Sequence, residues 1–171
     1  MEFISSDTNV WIDFRVISRI NLPFLLPFTY IMYAESMASE LLTPVGFHEE
    51  LVNAGLVGVE ITYEEFTLAD SWGSIYPRLS VPDRIALAIA KKRNIVLLTG
   101  DGALRKAAMR ENVSVLGTIG ILDKLFEGNY IQQEEYQYCL SELMKHNGAD
   151  VRLPSAELRK RLENLSQLSP Y

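Results

Sequence analysis

The chain has 171 residues, a formal net charge of −6, 48% hydrophobic and 22% charged residues. That is the balance of one globular domain, able to bury roughly 70% of the surface its unfolded form exposes, and it excludes disorder, collagen-like repeats and coiled-coil rods. The single Cys139 excludes an internal disulfide and a Cys-rich zinc site, and His48 and His146 lie too far apart for a local metal motif.

Met1-Glu2-Phe3 lacks the basic start of a secretory signal. The most apolar run, residues 22–34, is too short to span a bilayer and contains Pro23 and Pro27. A cytoplasmic protein without a membrane anchor is expected. The negative charge argues against an indiscriminate nucleic-acid coat, which needs Lys and Arg against phosphates. An acidic pocket loaded with divalent cations still attracts phosphate, so nucleic acid remains open as a substrate.

In chain order, residues 3–6 read as a short strand, and Asp7-Thr8-Asn9 ends it with residues that favour helix N-caps. Trp11, Phe14, Ile17 and Ser18 at three-to-four spacing predict a helix over 10–20. A Pro-punctuated connection over 21–27 leads to a strand over 29–33 and a helix over 35–42. Residues 47–54 read as helix with Gly55 as its terminator. Residues 57–62 read as strand and 64–76 as helix. Ser80-Val81-Pro82-Asp83 is a helix-start signature, with Pro in the first turn and an acid three places after Ser. The helix it opens runs to Arg93 and is apolar almost all round, so it should be buried.

Residues 95–99 form a continuous apolar run, as expected of a central parallel strand. A helix over 103–110 and a strand over 113–116 follow. This alternation predicts an α/β fold with a mainly parallel sheet. Beyond Gly117 the pattern changes to three helices over 119–126, 134–145 and 155–165. Within this tail Tyr136, Leu140, Leu143 and Met144 share a face, which closes the domain, pairs two copies or receives a partner segment.

Ligands bind at the carboxyl ends of strands in an open parallel sheet. Asp7 follows the first strand, Asp101 follows the apolar strand, Asp83 opens the buried helix, and Glu40 lies on the helix after the second strand. Singly, each has a plain structural reading: Asp7 and Asp101 as N-caps, Asp83 as a capping-box acid, Glu40 as a solvated helix residue. Jointly they form an all-oxygen set suited to a hard cation such as Mg²⁺ or Mn²⁺. A haloacid-dehalogenase-type phosphatase is disfavoured, because Asn9 stands where its second Asp belongs. Trp11, Phe14, Tyr30, Trp72 and Tyr76 read as packing residues, Cys139 as a small buried one, and His48 and His146 as solvated.

Ser6-Asp7-Thr8-Asn9, Ser39-Glu40-Leu41, Pro82-Asp83-Arg84-Ile85-Ala86-Leu87-Ala88 and Thr99-Gly100-Asp101 together resemble the acidic quartet of the PIN-domain superfamily. Its members such as the VapC-like toxins are metal-dependent ribonucleases. The stretch 98–122, with Arg105, Ala107 and Ala108 and the ending Val115-Leu116-Gly117-Thr118-Ile119-Gly120-Ile121-Leu122, is similar to a prokaryotic PIN subfamily. In that subfamily a Gly-Thr-x-Gly-hydrophobic-Leu turn leads into a helical tail.

The resemblance implies a three-layer PIN-like fold, a central mainly parallel sheet flanked by helices, over 1–126, and a helical C-terminal extension over 127–171. It implies hydrolysis of RNA phosphodiesters with Mg²⁺ or Mn²⁺, and a toxin-like role with an antitoxin protein as partner and a homodimer as a further option. A catalytically silent PIN-like module that binds RNA or protein is the alternative. By resemblance Asp7, Glu40, Asp83 and Asp101 are the metal ligands and catalytic acids, with Glu35 competing for the place of Glu40. Asn9 and Thr99 assist from behind them. Arg105, four residues after Asp101, is a candidate phosphate contact.

Overall fold

The computed structural model describes residues 2–168 of the chain. It divides into two compact units, one made of the chain up to Val10 with Pro27–Leu116, the other of Trp11–Leu26 with the chain from Gly117 onward.

In the first unit, β1 (Glu2–Ser6), β2 (Phe28–Tyr33), β3 (Val57–Val59), β4 (Val96–Leu98) and β5 (Val115–Leu116) form one sheet in the order β3-β2-β1-β4-β5. Every pairing is parallel: Ile4 stands beside Tyr30 on one side and Val96 on the other, Ile31 beside Val57, and Leu97 beside Val115. The expected mainly parallel sheet is therefore wholly parallel. Because β1 is central and the chain builds outward from it first through β2 and β3 on one side and then through β4 and β5 on the other, the strand order reverses at its carboxyl end. In such sheets that reversal opens the crevice where ligands bind.

Helix α1 (Thr8–Val16) leaves β1 across the boundary of the two units, and α2 (Ala34–Glu40) packs on β2 and β3. α3 (Phe47–Ala54) ends at Gly55, whose φ of 134° suits only glycine. α4 (Tyr63–Ser71) and α5 (Val81–Arg93) pack against each other, and α6 (Gly102–Arg110) follows β4. α5 is the central brace. All six side chains from 85 to 90 are buried, and their alternation of Ile or Leu with Ala lets the helix approach β1, β2 and β4 closely. The Ser5 hydroxyl donates to the Ala86 carbonyl at 2.8 Å, tying central strand to brace. Each large aliphatic chain buried here contributes about 1.5–3 kcal/mol of transfer free energy. Asn94, in the left-handed region at φ 54°, turns α5 directly into β4.

In the second unit the greater part of α1 is followed by a 3₁₀ turn (Leu22–Leu25), α7 (Thr118–Glu127), α8 (Gln133–His146) and α9 (Ser155–Leu168). Trp11 stacks on Phe24 with ring centroids 5.2 Å apart, and Phe126 stacks on Tyr136 at 4.4 Å. Arg161 of α9 holds Asp123 of α7 through both carboxylate oxygens, at 2.8–3.0 Å. Tyr136, Cys139, Leu140 and Leu143 are the buried stripe of α8, with Met144 half-buried. His48 and His146 are half-buried rather than fully solvated, and His146 lies beside Glu142 and Asp150.

Several elements are shorter than their patterns predicted, among them α2, β4 and β5, and for three others the cause is visible. α1 stops at Val16 because Ser18 takes φ 57°, and its N–H reaches Arg15 O while that of Arg19 reaches Phe14 O. These two bonds make a Schellman cap. Ile17 and Ile20 are buried beyond it, so the apolar spacing outlasts the helix. β3 stops at Val59 because Thr62 is recruited as the N-cap of α4, in a reciprocal capping box with Glu65. α4 stops at Ser71, where Arg84 Nη1 takes the Ala69 carbonyl at 2.9 Å. Gly73 permits this approach, since a Cβ there would stand 2.8 Å from that nitrogen. Trp72 and Tyr76 thus meet edge to face beyond the helix end rather than along one helix face.

Candidate active site at the carboxyl ends of the central strands

Asp7 is the first residue beyond β1, and its N–H donates to Leu98 O at 2.9 Å, extending the pairing with β4 by one step. This fixes its backbone at the reversal point, with the side chain only 6% exposed. Oδ1 accepts from the Thr8 N–H at 2.8 Å, and Oδ2 from the Thr99 hydroxyl at 2.9 Å. The same Thr99 oxygen accepts from the Asp101 N–H at 3.1 Å, so one hydroxyl links the ends of both strands. The Asn9 amide oxygen accepts from the Gly100 N–H at 3.1 Å and holds that loop against the start of α1.

The other three acids approach from different elements. Glu40, the last residue of α2, accepts from the Thr8 hydroxyl at 2.6 Å. Glu35 instead hydrogen-bonds Tyr33, helping to raise the pKa of that phenol, though burial raises it more. Asp83 completes the capping box of α5, accepting from the Ser80 N–H at 3.0 Å. Asp101 caps α6, accepting from the Ala103 N–H at 3.3 Å. The capping readings of Asp83 and Asp101 therefore hold.

They do not exhaust these residues, because the carboxylates act on one another. Burial and then the charge of Asp83 push Asp7 up to about 7; the Thr8 and Thr99 bonds oppose this, and Glu40 adds to it. Asp83 is itself raised, chiefly by burial, with Asp101 adding to it against the Ser80 bonds. A run of electrostatic neighbours thus joins Glu40, Asp7, Asp83 and Asp101. Among the described residues no three Asp, Glu, His or Cys side chains gather closely enough to hold a metal ion. The carboxylates turn instead toward their own N–H and O–H donors. The donor chemistry still fits a hard divalent cation: oxygen only, with a surplus of negative charge that raises the pKa of the innermost acid.

The cations of α5 and α6 separate into two groups. Arg84 is committed to the Ala69 carbonyl, Lys91 to Glu111 and Arg93 to Glu65. Arg105, Lys106 and Arg110 are exposed on α6.

Two residues escaped the sequence reading. Thr8 bridges Asp7 and Glu40, and its place inside Ser6-Asp7-Thr8-Asn9 was the available signal. Asp13, in the second unit, is buried and accepts from the Thr118 hydroxyl at 2.7 Å, which accounts for the Thr of Gly117-Thr118-Ile119-Gly120. Its signal was an acid three after Val10 and four before Ile17, on the apolar stripe of α1.

An α/β chain with a wholly parallel sheet and acids at its central reversal point has its ligand-binding crevice there. The PIN-domain family model matches residues 3–167, and the chain belongs to that family. PIN domains are generally nucleases, hydrolases of the phosphodiester bond. Comparison with curated proteins and with solved structures finds no match. No helix of the described residues is long and apolar enough to cross a membrane.

Proposed function

We propose that the protein is a metal-dependent ribonuclease of toxin-like, VapC-type character, with Asp7, Glu40, Asp83 and Asp101 as the ligands of Mg²⁺ or Mn²⁺. The observation that carries this reading is a buried Asp7 at the end of the central strand, tied to Glu40 through Thr8 and to the Asp101 backbone through Thr99, with the charges of Asp83 and Glu40 close enough to raise its pKa. When bound, a divalent cation supplies Lewis acidity to the phosphodiester and acidifies attacking water. Asp7 is the inner ligand, its orientation held by the Thr8 N–H and the Thr99 hydroxyl. Asp83 and Asp101 complete the oxygen set from the first turn of α5 and the N-cap of α6, positions that favour negative charge. Glu40, steered by the Thr8 hydroxyl, orients the attacking water or takes its proton. An antitoxin partner, a homodimer and a cytoplasmic setting belong to the same proposal.

The test is incubation of the purified protein with generic single-stranded RNA, with Mn²⁺ or with chelator, beside Asp7→Asn. The expected result is cleavage that needs Mn²⁺ and is lost in the variant. Thermal melts give a second readout, since a ligand at 100 times its Kd stabilises the fold by about 2.7 kcal/mol and Asp7→Asn should lose that gain. Cleavage indifferent to chelator would overturn the metal mechanism. RNA binding without cleavage under any divalent cation would favour the silent module.

A further inference from the structure

The acid cluster explains how a phosphodiester would be attacked but not how a strand is held beside it. Beside α6 lies a cavity of about 350 Å³ in the first unit. Small-ligand sites typically measure roughly 300–1,000 Å³. Its walls come from the segment 75–79 and from the exposed side of α6, beginning at Gly102, the residue after Asp101. Ile75, Tyr76 and Leu79 supply apolar surface, while Arg78, Lys106 and Arg110 supply positive charge, and no Asp or Glu lines it.

In a chain of net charge −6 this is a local inversion. Two other cavities carry acids in their walls, one with Glu2 and one with Asp123, Glu127 and Glu157. Among the described residues Arg78, Lys106 and Arg110 form no ion pair, although the charge of Arg110 reaches Glu111, whereas Lys91 and Arg93 on neighbouring α5 are both paired with a carboxylate. The Tyr76 ring is held in advance: its hydroxyl donates to Glu111 and it meets the Trp72 ring edge to face, with centroids 6.1 Å apart. Fixed aromatic faces and unpaired cations together are what single-stranded nucleic acid binds, through base stacking and phosphate contacts.

We propose that this cavity is a nucleotide subsite, which seats one unit of single-stranded RNA next along the strand from the phosphodiester at the acids. The base lies on Tyr76 and the apolar wall, and its phosphates lie against Arg78, Lys106 and Arg110. The inference rests on the ribonuclease reading and deepens it by assigning the strand a path. Arg105, the phosphate contact expected from sequence, is not in the lining.

The experiment measures the affinity of a labelled single-stranded RNA decamer by fluorescence anisotropy, using Asp7→Asn so that binding is read without cleavage. Adding Lys106→Glu and Arg110→Glu should raise Kd at least about tenfold. The pair should also lessen the dependence of log Kd on log salt by about 0.7 for each phosphate that no longer meets a cation. Lys106→Gln with Arg110→Gln gives the same direction if the charge reversal unfolds the chain. Gly102→Leu, where an added Cβ meets nothing within 4 Å, tests the cavity with its charges intact. In the otherwise unaltered protein it should raise KM for RNA several-fold. RNA affinity unchanged within twofold by the double variants would overturn the subsite while leaving the nuclease reading intact, and would assign the cavity to a protein segment instead. Binding that depends on Lys106 and Arg110 in a chain that never cleaves would keep the subsite and overturn the nuclease. No RNA binding at all overturns both.

Discussion

Asp7 and Asp13 come from the same short stretch of sequence, one in each unit, and both are buried carboxylates that accept a threonine hydroxyl. Burial raises both, Asp7 to about 7 and Asp13 to about 6. The difference lies in what surrounds them. Asp83 and Glu40 add their charge to Asp7, whereas Asp13 is shifted by desolvation and the Thr118 bond alone. A buried acid with one hydroxyl partner is a structural post that fastens the start of α7 to α1. A buried acid among other acids, at the point where strand order reverses, is a place that gains from a cation.

The sharpest way to break this contrast is to neutralise each aspartate in turn. Asp7→Asn should lower Mn²⁺-dependent cleavage of RNA by at least about 10³-fold, close to 4 kcal/mol of barrier. Asp13→Asn should leave kcat/KM within about threefold, since the amide oxygen can still accept from Thr118. Initial rates on one labelled RNA decide it. Equal losses from the two substitutions would dissolve the distinction between post and site.

What could be read in the sequence follows from how local each signal is. The α5 start was legible to the residue, because Ser80, Pro82 and Asp83 build the cap within one turn and the structure forms it as a reciprocal box. β1 and Asp7 were legible because the strand, its end and the acid are contiguous. The four acids were legible as a set only through their order and placement, and their electrostatic coupling needs the sheet to bring them together. The end of α1 was hidden because Ile17 and Ile20 continue an apolar rhythm after the backbone has turned. Asp13 was hidden because its partner is a threonine 105 positions away, which only the fold brings to it. Arg78 was hidden because a cation in a loop has no meaning until α6 lies opposite it.

Acid stability measures the same contrast on a smaller scale. The folded pKa of Asp13 is about 6 against 3.8 in the unfolded chain, so between roughly pH 4 and 6 the native state binds more protons. Stability is then highest below the unfolded value and falls as pH rises through that window. The full shift corresponds to about 3 kcal/mol at most. Asp13→Asn should flatten this part of the curve and leave the protein more stable at pH 7, as measured by urea denaturation in chelator. The slope contributed by Asp7 has the same sign, extends toward pH 7, and should persist in that variant. Parallel pH curves for wild type and Asp13→Asn would show that Asp13 titrates normally.

The finest probe removes the hydroxyls instead of the acids. Thr99→Val and Thr118→Val each delete a bond donated to a buried carboxylate, and each should cost about 1.5–2 kcal/mol at neutral pH, within the usual range for hydrogen bonds to charged groups. Their other consequences should diverge. Without Thr99 the Asp7 pKa rises further and the Asp101 N–H loses its acceptor, so the acids face a cation less ionised and less well held. The Mn²⁺ concentration giving half-maximal thermal stabilisation should therefore increase several-fold in Thr99→Val. It should not move in Thr118→Val, because Asp13 has no acid neighbour for a cation to relieve. A shared increase in both variants would mean that the two aspartates answer to one site after all.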